Sequence, residues 1–203
     1  MSDDNLPLIA ILRGITLPEV EPVSRALFDA GIRYIEIPLN SPDPFTSIEA
    51  LTGLMGQTAF CGAGTVMSVD DIERVASCGG KLIVSPHTNV ELIAAALARD
   101  MLVFPGVATV TEAITAIDAG ATHLKLFPAG DLGAGYLKSV HAVLPADVSV
   151  YAVGGIGLND LEAFWSAGAK GFGIGSGVYL PSMPASRVFE LATQYVRAVE
   201  YLI

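Results

Sequence analysis

Cations are scarce in this chain: 11 Lys and Arg stand against 21 Asp and Glu among 203 residues, a formal net charge of −10. A general nucleic-acid binder carries a basic face, so that class is excluded. Cysteine is nearly absent as well. Cys61 and Cys78 cannot build a disulfide framework, and no CxxC or His/Cys cluster offers a structural zinc site. Long hydrophobic runs are missing too. Leu6 to Leu12 is too short to span a bilayer, and the longest uncharged stretch, Ala50 to Val69, is interrupted by Gly53, Gly56, Gln57, Gly62, Gly64 and Ser68. It reads as helix, loop and strand rather than a membrane span. The first residues, Met1-Ser2-Asp3-Asp4, are the opposite of a basic leader, so a soluble cytoplasmic protein is expected. An apolar share of 52% excludes a disordered tail. No Pro/Gly/Ser-rich boundary divides the chain, which predicts one domain over residues 1–203.

What is present is a repeating rhythm. Short apolar runs occur at Leu8–Arg13, Tyr34–Leu39, Ala59–Gly64, Leu82–Ser85, Leu102–Pro105, His123–Phe127, Val148–Val153 and Gly171–Ile174. Continuous apolar runs mark strands covered on both faces. Helical spacing lies between them. Ser68 is a candidate N-cap for a helix to Ser77, with Asp70 and Asp71 in its first turn. Asn89 is another, for a helix to Arg99 whose shared face would be Val90, Ile93, Ala94 and Leu97. The pairs Ala30-Gly31, Ala119-Gly120 and Ala167-Gly168 read as helix C-caps. Eight strands alternating with eight helices predict a parallel α/β fold. An open doubly wound sheet would carry GxGxxG in its first turn, which Leu12-Arg13-Gly14-Ile15 is not. The expectation is therefore a single (β/α)8 TIM barrel near the lower size limit of that fold.

In such a barrel, chemistry collects at the C-terminal ends of the strands. Nine of the eleven cations fall elsewhere: Arg33, Lys81 and Lys170 precede strands at the bottom, while Arg25, Arg74, Arg99, Lys138, Arg187 and Arg197 are assigned to helices. Two remain, Arg13 at the top of the first strand and Lys125 inside the sixth. A lysine within a buried strand loses hydration, which favours the neutral amine, a nucleophile toward carbonyls. Glu36 is the only acidic residue inside a predicted strand. Alternation sends Ile35 and Ile37 outward and Glu36 inward, and by the same parity Lys125 faces inward between Leu124 and Leu126. Either the two form a catalytic amine and acid/base pair, or they form a buried salt bridge.

Phosphate is the next inference. Gly154 and Gly155 end the seventh strand, and Gly175 and Ser176 the eighth. Glycines after these two strands let backbone N–H groups and a helix N-terminus approach an anion; the alternative is tight-turn geometry. Thr65 ends Gly62-Ala63-Gly64-Thr65 and is either a hydroxyl donor to substrate or a turn residue. His87, alone after Ser85-Pro86, makes a poor metal site. His123, His141, Cys61, Phe164 and Trp165 read as packing residues.

The segments Leu6–Gly14, Ile35–Pro42, Gly62–Val66, Leu124–Pro128 and Ala152–Ile156, in this order, resemble the keto-deoxy-phospho-sugar aldolases, the class I pyruvate aldolases of the Entner–Doudoroff type. The strand-two tail Glu36-Ile37-Pro38-Leu39-Asn40-Ser41-Pro42 and the valine before Gly154-Gly155 look more like the galactonate branch than the gluconate branch. The resemblance implies a Schiff base on Lys125, proton transfer by Glu36, pyruvyl-carboxylate binding by Arg13 and Thr65, and phosphate binding by Gly154, Gly155, Gly175 and Ser176. It implies a phosphorylated keto-deoxy sugar acid as substrate, with pyruvate and D-glyceraldehyde 3-phosphate as products. It also implies no metal or organic cofactor, because the imine is the electron sink, and a homotrimer. The tail Pro128-Ala129-Gly130-Asp131 departs from relatives that carry hydroxyls there. The rival readings are another phosphate-binding barrel, such as a thiamine-phosphate synthase or sugar-phosphate isomerase, and a non-catalytic phospho-sugar-binding barrel.

Overall fold

Each of the eight apolar runs forms strand in the computed structural model, which describes residues 5–203; the acidic start Met1 to Asp4 lies outside the described residues. The strands are β1 (Leu8–Ile11), β2 (Tyr34–Pro38), β3 (Phe60–Gly64), β4 (Leu82–Val84), β5 (Leu102–Phe104), β6 (Gly106–Val107), β7 (His123–Leu126), β8 (Ser149–Val153) and β9 (Gly171–Ile174). All pairings are parallel, in the order β5-β4-β3-β2-β1-β9-β8-β7-β6. The two ends of that order, β5 and β6, are one stretch of chain broken only at Pro105. Proline has no N–H to give to a ladder, so the fifth run is split: β5 pairs with β4 and β6 with β7. The carbonyl of Pro105 still accepts from the Lys125 amide at 2.9 Å. The sheet thus closes as a barrel, and the extra strand, β6, continues the fifth run beyond Pro105.

Helices α1 (Leu17–Ala30), α2 (Pro44–Met55), α3 (Val69–Ser77), α4 (Val90–Leu97) and α5 (Val110–Asp118) alternate with the strands as the spacing predicts. After β7 the expected single helix is divided at Gly133 into α6 (Ala129–Leu132) and α7 (Ala134–His141); α8 (Leu161–Ser166) follows a 3-10 turn at Leu158–Asp160, and α9 (Ala185–Glu200) ends the barrel. No helix among the described residues is long and apolar enough to cross a membrane. Ser68 caps α3 by accepting from the Asp71 amide, and Asn89 caps α4 by accepting from Leu92. Gly31, Gly120 and Gly168 follow α1, α5 and α8 with left-handed backbones.

The α4 face differs from expectation. Leu92, Ile93 and Ala96 are buried, whereas Val90 and Leu97 are exposed. A helix that is apolar on most positions has no single stripe for periodicity to select. Arg99 lies beyond α4, where it pairs with Glu73 at 2.9 Å.

Strand parity divides the interior into two cores. Ile35, Ile37, Leu124 and Leu126 pack outward beneath the helices. Ile9, Ile11, Tyr34, Leu82, Val84, Phe104, Tyr151 and Val153 fill the barrel itself. Aromatic rings close its lower half. Tyr34 stacks on Phe60 with centroids 5.2 Å apart, and Phe104 meets Tyr151 edge-on at 4.8 Å, with the His123 ring beside both. Each aromatic pair contributes about 1 kcal/mol beyond area burial. The polar residues of the next layer therefore stand on a dry floor.

Candidate active site

Lys125 on β7 and Glu36 on β2 form that next layer. Both face the barrel interior, 6% and 2% exposed respectively, because their strand neighbours take the outward positions. They share a cavity of about 670 Å³ with Arg13, Gly154, Gly155 and Ser176. They are not locked together. The ion pairs within 4.0 Å among the described residues are Arg25–Glu21, Arg99–Glu73 and Arg187–Glu190, all on the surface. Glu36 Oε2 is buried without a hydrogen bond. The salt-bridge alternative thus has no geometric support.

Desolvation dominates the electrostatics. Burial pushes the Glu36 carboxyl up to about 7, against the opposing pull of the Lys125 and Arg13 charges. Burial holds the Lys125 amine below its ordinary range; Glu36 works against that shift and Arg13 reinforces it. The Phe127 ring lies 4.7 Å from Lys125 Nζ. A carboxylic acid that titrates near neutrality and an amine biased toward its neutral form are the two components of carbonyl addition and proton transfer. Gly64 on β3 makes room for the carboxyl group: a Cβ there would occupy the space of the Glu36 carboxylate.

Arg13 stands at the rim beyond β1. Its Nη1 donates to Asn40 Oδ1 at 2.5 Å and its Nη2 to Thr65 Oγ1 at 3.5 Å. Thr65 touches Arg13 but does not line the cavity, and its backbone is left-handed, φ 55°, an uncommon conformation for a β-branched residue. It is a turn residue, and its hydroxyl accepts from the arginine. Asn40 was not singled out by sequence reasoning. Its signal is its place in the strand-two tail, four residues after Glu36.

The four glycine-loop residues meet at the opposite side of the cavity. Gly154 and Gly155 both have positive φ, 92° and 72°, which turns the chain sharply at the end of β8 and leaves amides facing inward. The amides of Gly155, Ser176 and Gly177 donate to no group among the described residues. After β9 the expected helix N-terminus is not there. Gly175 instead begins a single turn, its carbonyl accepting from Val178 and Tyr179, and the next helix after β9 is α9. After β8 the short 3-10 turn leads into α8, and the Gly157 amide at its start is taken by Asp160 Oδ2 at 2.8 Å. The concavity is built from backbone amides rather than a helix dipole. Phe127, Gly177 and Tyr195 also line the cavity and were missed.

The remaining candidates lie elsewhere. His87 sits with Nδ1 3.3 Å from Ser85 Oγ, away from the cavity. Burial in the outer core pushes the Cys61 thiol up to about 12. His123 belongs to the aromatic floor and His141 ends α7. Phe164 is buried, and the Trp165 ring lies 6.4 Å from that of Phe172.

Comparison with known proteins finds relatives over nearly the whole chain. Residues 3–186 match the family model of KDPG and KHG aldolase. The 2-dehydro-3-deoxy-6-phosphogalactonate aldolase of Escherichia coli K12 is 44% identical, covering 95% of this chain and 94% of its own. A solved structure of native KDPGal is 43% identical and superposes with a TM-score of 0.95, over 97% of this chain and 96% of the other. The KDPG aldolase of Legionella pneumophila, solved with pyruvate captured as a covalent carbinolamine, is 29% identical with a TM-score of 0.83, over 92% of each chain.

Proposed function

The chain belongs to the KDPG and KHG aldolase family, and from that premise we propose that it cleaves 2-dehydro-3-deoxy-6-phosphogalactonate to pyruvate and D-glyceraldehyde 3-phosphate through a Schiff base on Lys125. The observation that carries the reading is the pair of buried, unbridged groups, Lys125 and Glu36, in one cavity. The galactonate substrate is supported by 44% identity to the E. coli relative of that name, against 29% to the Legionella KDPG aldolase.

In this reading the neutral Lys125 amine adds to the C2 carbonyl, and loss of water with uptake of one proton from solvent leaves an iminium ion. Glu36, ionised, accepts the C4 hydroxyl proton as the C3–C4 bond breaks. The bond's electron pair moves into the iminium to give an enamine, and the aldehyde leaves. Glu36 then returns its proton to C3, and water hydrolyses the pyruvyl iminium to release pyruvate, the free amine and the proton taken up at its formation. A carboxyl group titrating near 7 serves both directions of transfer. Arg13, steadied by Asn40 and Thr65, would hold the pyruvyl carboxylate. The free amides of Gly155 and Ser176, with Gly154 and Gly175 shaping the turns, would hold the phosphate.

Borohydride reduction in the presence of pyruvate tests the proposal. One pyruvate-derived adduct is expected, located by peptide mass at Lys125. Turnover without any adduct points to another barrel chemistry, and phosphate-ligand binding without adduct or turnover points to the non-catalytic reading.

A homotrimer is part of the proposal. Val90 and Leu97 on α4 and Val110 and Ile114 on α5 are exposed apolar side chains on neighbouring helices, a surface suited to a second copy. Light scattering is expected to give three times the chain mass; a monomer would remove the assignment. The phosphorylated substrate and the phosphorylated product, which do not cross bilayers unaided, support a cytoplasmic site of action.

A further inference from the structure

One donor in the cavity has no role in the scheme above. Tyr195 reaches in from α9 and is 4% exposed, its ring set in the apolar stripe of Val188, Ala192, Val196 and Val199. Its hydroxyl lies at the cavity wall beside Gly177, where a Cβ would overlap it. Among the described residues that hydroxyl makes no hydrogen bond. By contrast, the Tyr179 hydroxyl donates to Glu19 at 3.1 Å and the Tyr136 hydroxyl donates to the Ala108 carbonyl. A buried tyrosine hydroxyl ordinarily has a partner, and here the space beside it is the concavity of free amides at Gly155, Ser176 and Gly177.

That concavity needs a donor. The cations lining the cavity are Arg13 and Lys125, both used at the pyruvyl end, and Asp160 already takes the Gly157 amide. A phosphate there is held by neutral donors alone. Burial and the nearby Asp160 charge raise the Tyr195 hydroxyl above its ordinary range, so it keeps its proton at neutral pH. We propose that Tyr195 is a phosphate-binding residue, its Oη donating to a phosphate oxygen of the substrate and completing the backbone seat. The proposal rests on the aldolase reading of this cavity.

Tyr195→Phe keeps the ring and removes the donor. The KM of the phosphorylated substrate is expected to rise about tenfold, the loss of one hydrogen bond to a charged group, with kcat within about twofold. Inorganic phosphate, as a competitive inhibitor, should weaken by the same factor. The KM of the unphosphorylated 2-dehydro-3-deoxy sugar acid should not move. Unchanged constants, or an equal penalty on the unphosphorylated acid, would overturn the proposal in favour of a packing role. The pyruvate adduct on Lys125 must form at full yield in the variant, which separates this failure from failure of the aldolase reading; no adduct in the unaltered enzyme removes both. Should the variant not fold, the unaltered protein labelled with fluorotyrosine provides the test. Of its six tyrosines, Tyr195 is the one lining the cavity among the described residues. One fluorine resonance should shift saturably with inorganic phosphate, and no shift would overturn the assignment.

Discussion

Lys125→Ala is expected to lower turnover by at least about 10⁴-fold and to abolish borohydride trapping of pyruvate. No other lysine lines the cavity, so no second amine can take over addition to C2. The substitution breaks no ion pair, because Lys125 has none within 4.0 Å. It also removes a buried amine whose protonation the fold disfavours. A lysine depressed in the folded state costs stability at every pH below its unfolded value, where the unfolded chain takes up the proton more readily. At pH 7 the variant should therefore melt no lower than the parent, while Glu36, deprived of its largest opposing charge, titrates still higher. An adduct that persists in the variant, or activity above about one per cent, would move the Schiff base to another residue.

That pair was legible in the sequence for a definite reason. A strand buried on both faces excludes charge, so Lys125 and Glu36 stand out against Leu124, Leu126, Ile35 and Ile37, and strict alternation assigns both to the barrel interior. The barrel itself followed from the spacing of the runs. What escaped reading depends on tertiary contact. The break at Pro105 is a matter of which neighbour each half-strand finds. The buried face of α4 could not be chosen because apolar residues nearly surround the helix, and of the chosen stripe Ile93 is buried while Val90, Ala94 and Leu97 are exposed. Tyr195 belongs to an amphipathic pattern that reads wholly as core; only its neighbour Gly177, far away in the helix-free turn after β9, opens its hydroxyl to the cavity. Asn40 acquires meaning only through Arg13, 27 residues earlier. The glycines after β9 announce a turn, but not that a single turn, rather than a helix, would follow directly.

Glu36→Gln should separate imine formation from proton transfer. The pyruvate adduct on Lys125 is expected to form, while turnover falls about 10²- to 10⁴-fold, the range for loss of a general acid/base. In the parent, Glu36 accepts the C4 proton only when ionised, so kcat should decline on the acid side with a midpoint near 7; the glutamine variant should lack that limb. Stability moves the other way. Because the folded carboxyl titrates at about 7 rather than 4.5, the penalty is absent below about pH 4.5, where both states are protonated. It grows as pH rises from 4.5 to 7, since the unfolded chain ionises first, and is complete above 7. At about 1.4 kcal/mol per unit, the strain is on the order of 3 kcal/mol. Glutamine carries no charge to desolvate, so the variant should melt several degrees above the parent at pH 8, with the gain vanishing near pH 4.5. A catalytic carboxylate that destabilises its own fold is the usual trade of stability for activity. Unaltered turnover, or a melting difference independent of pH, would show that the buried carboxyl group serves the barrel rather than the reaction.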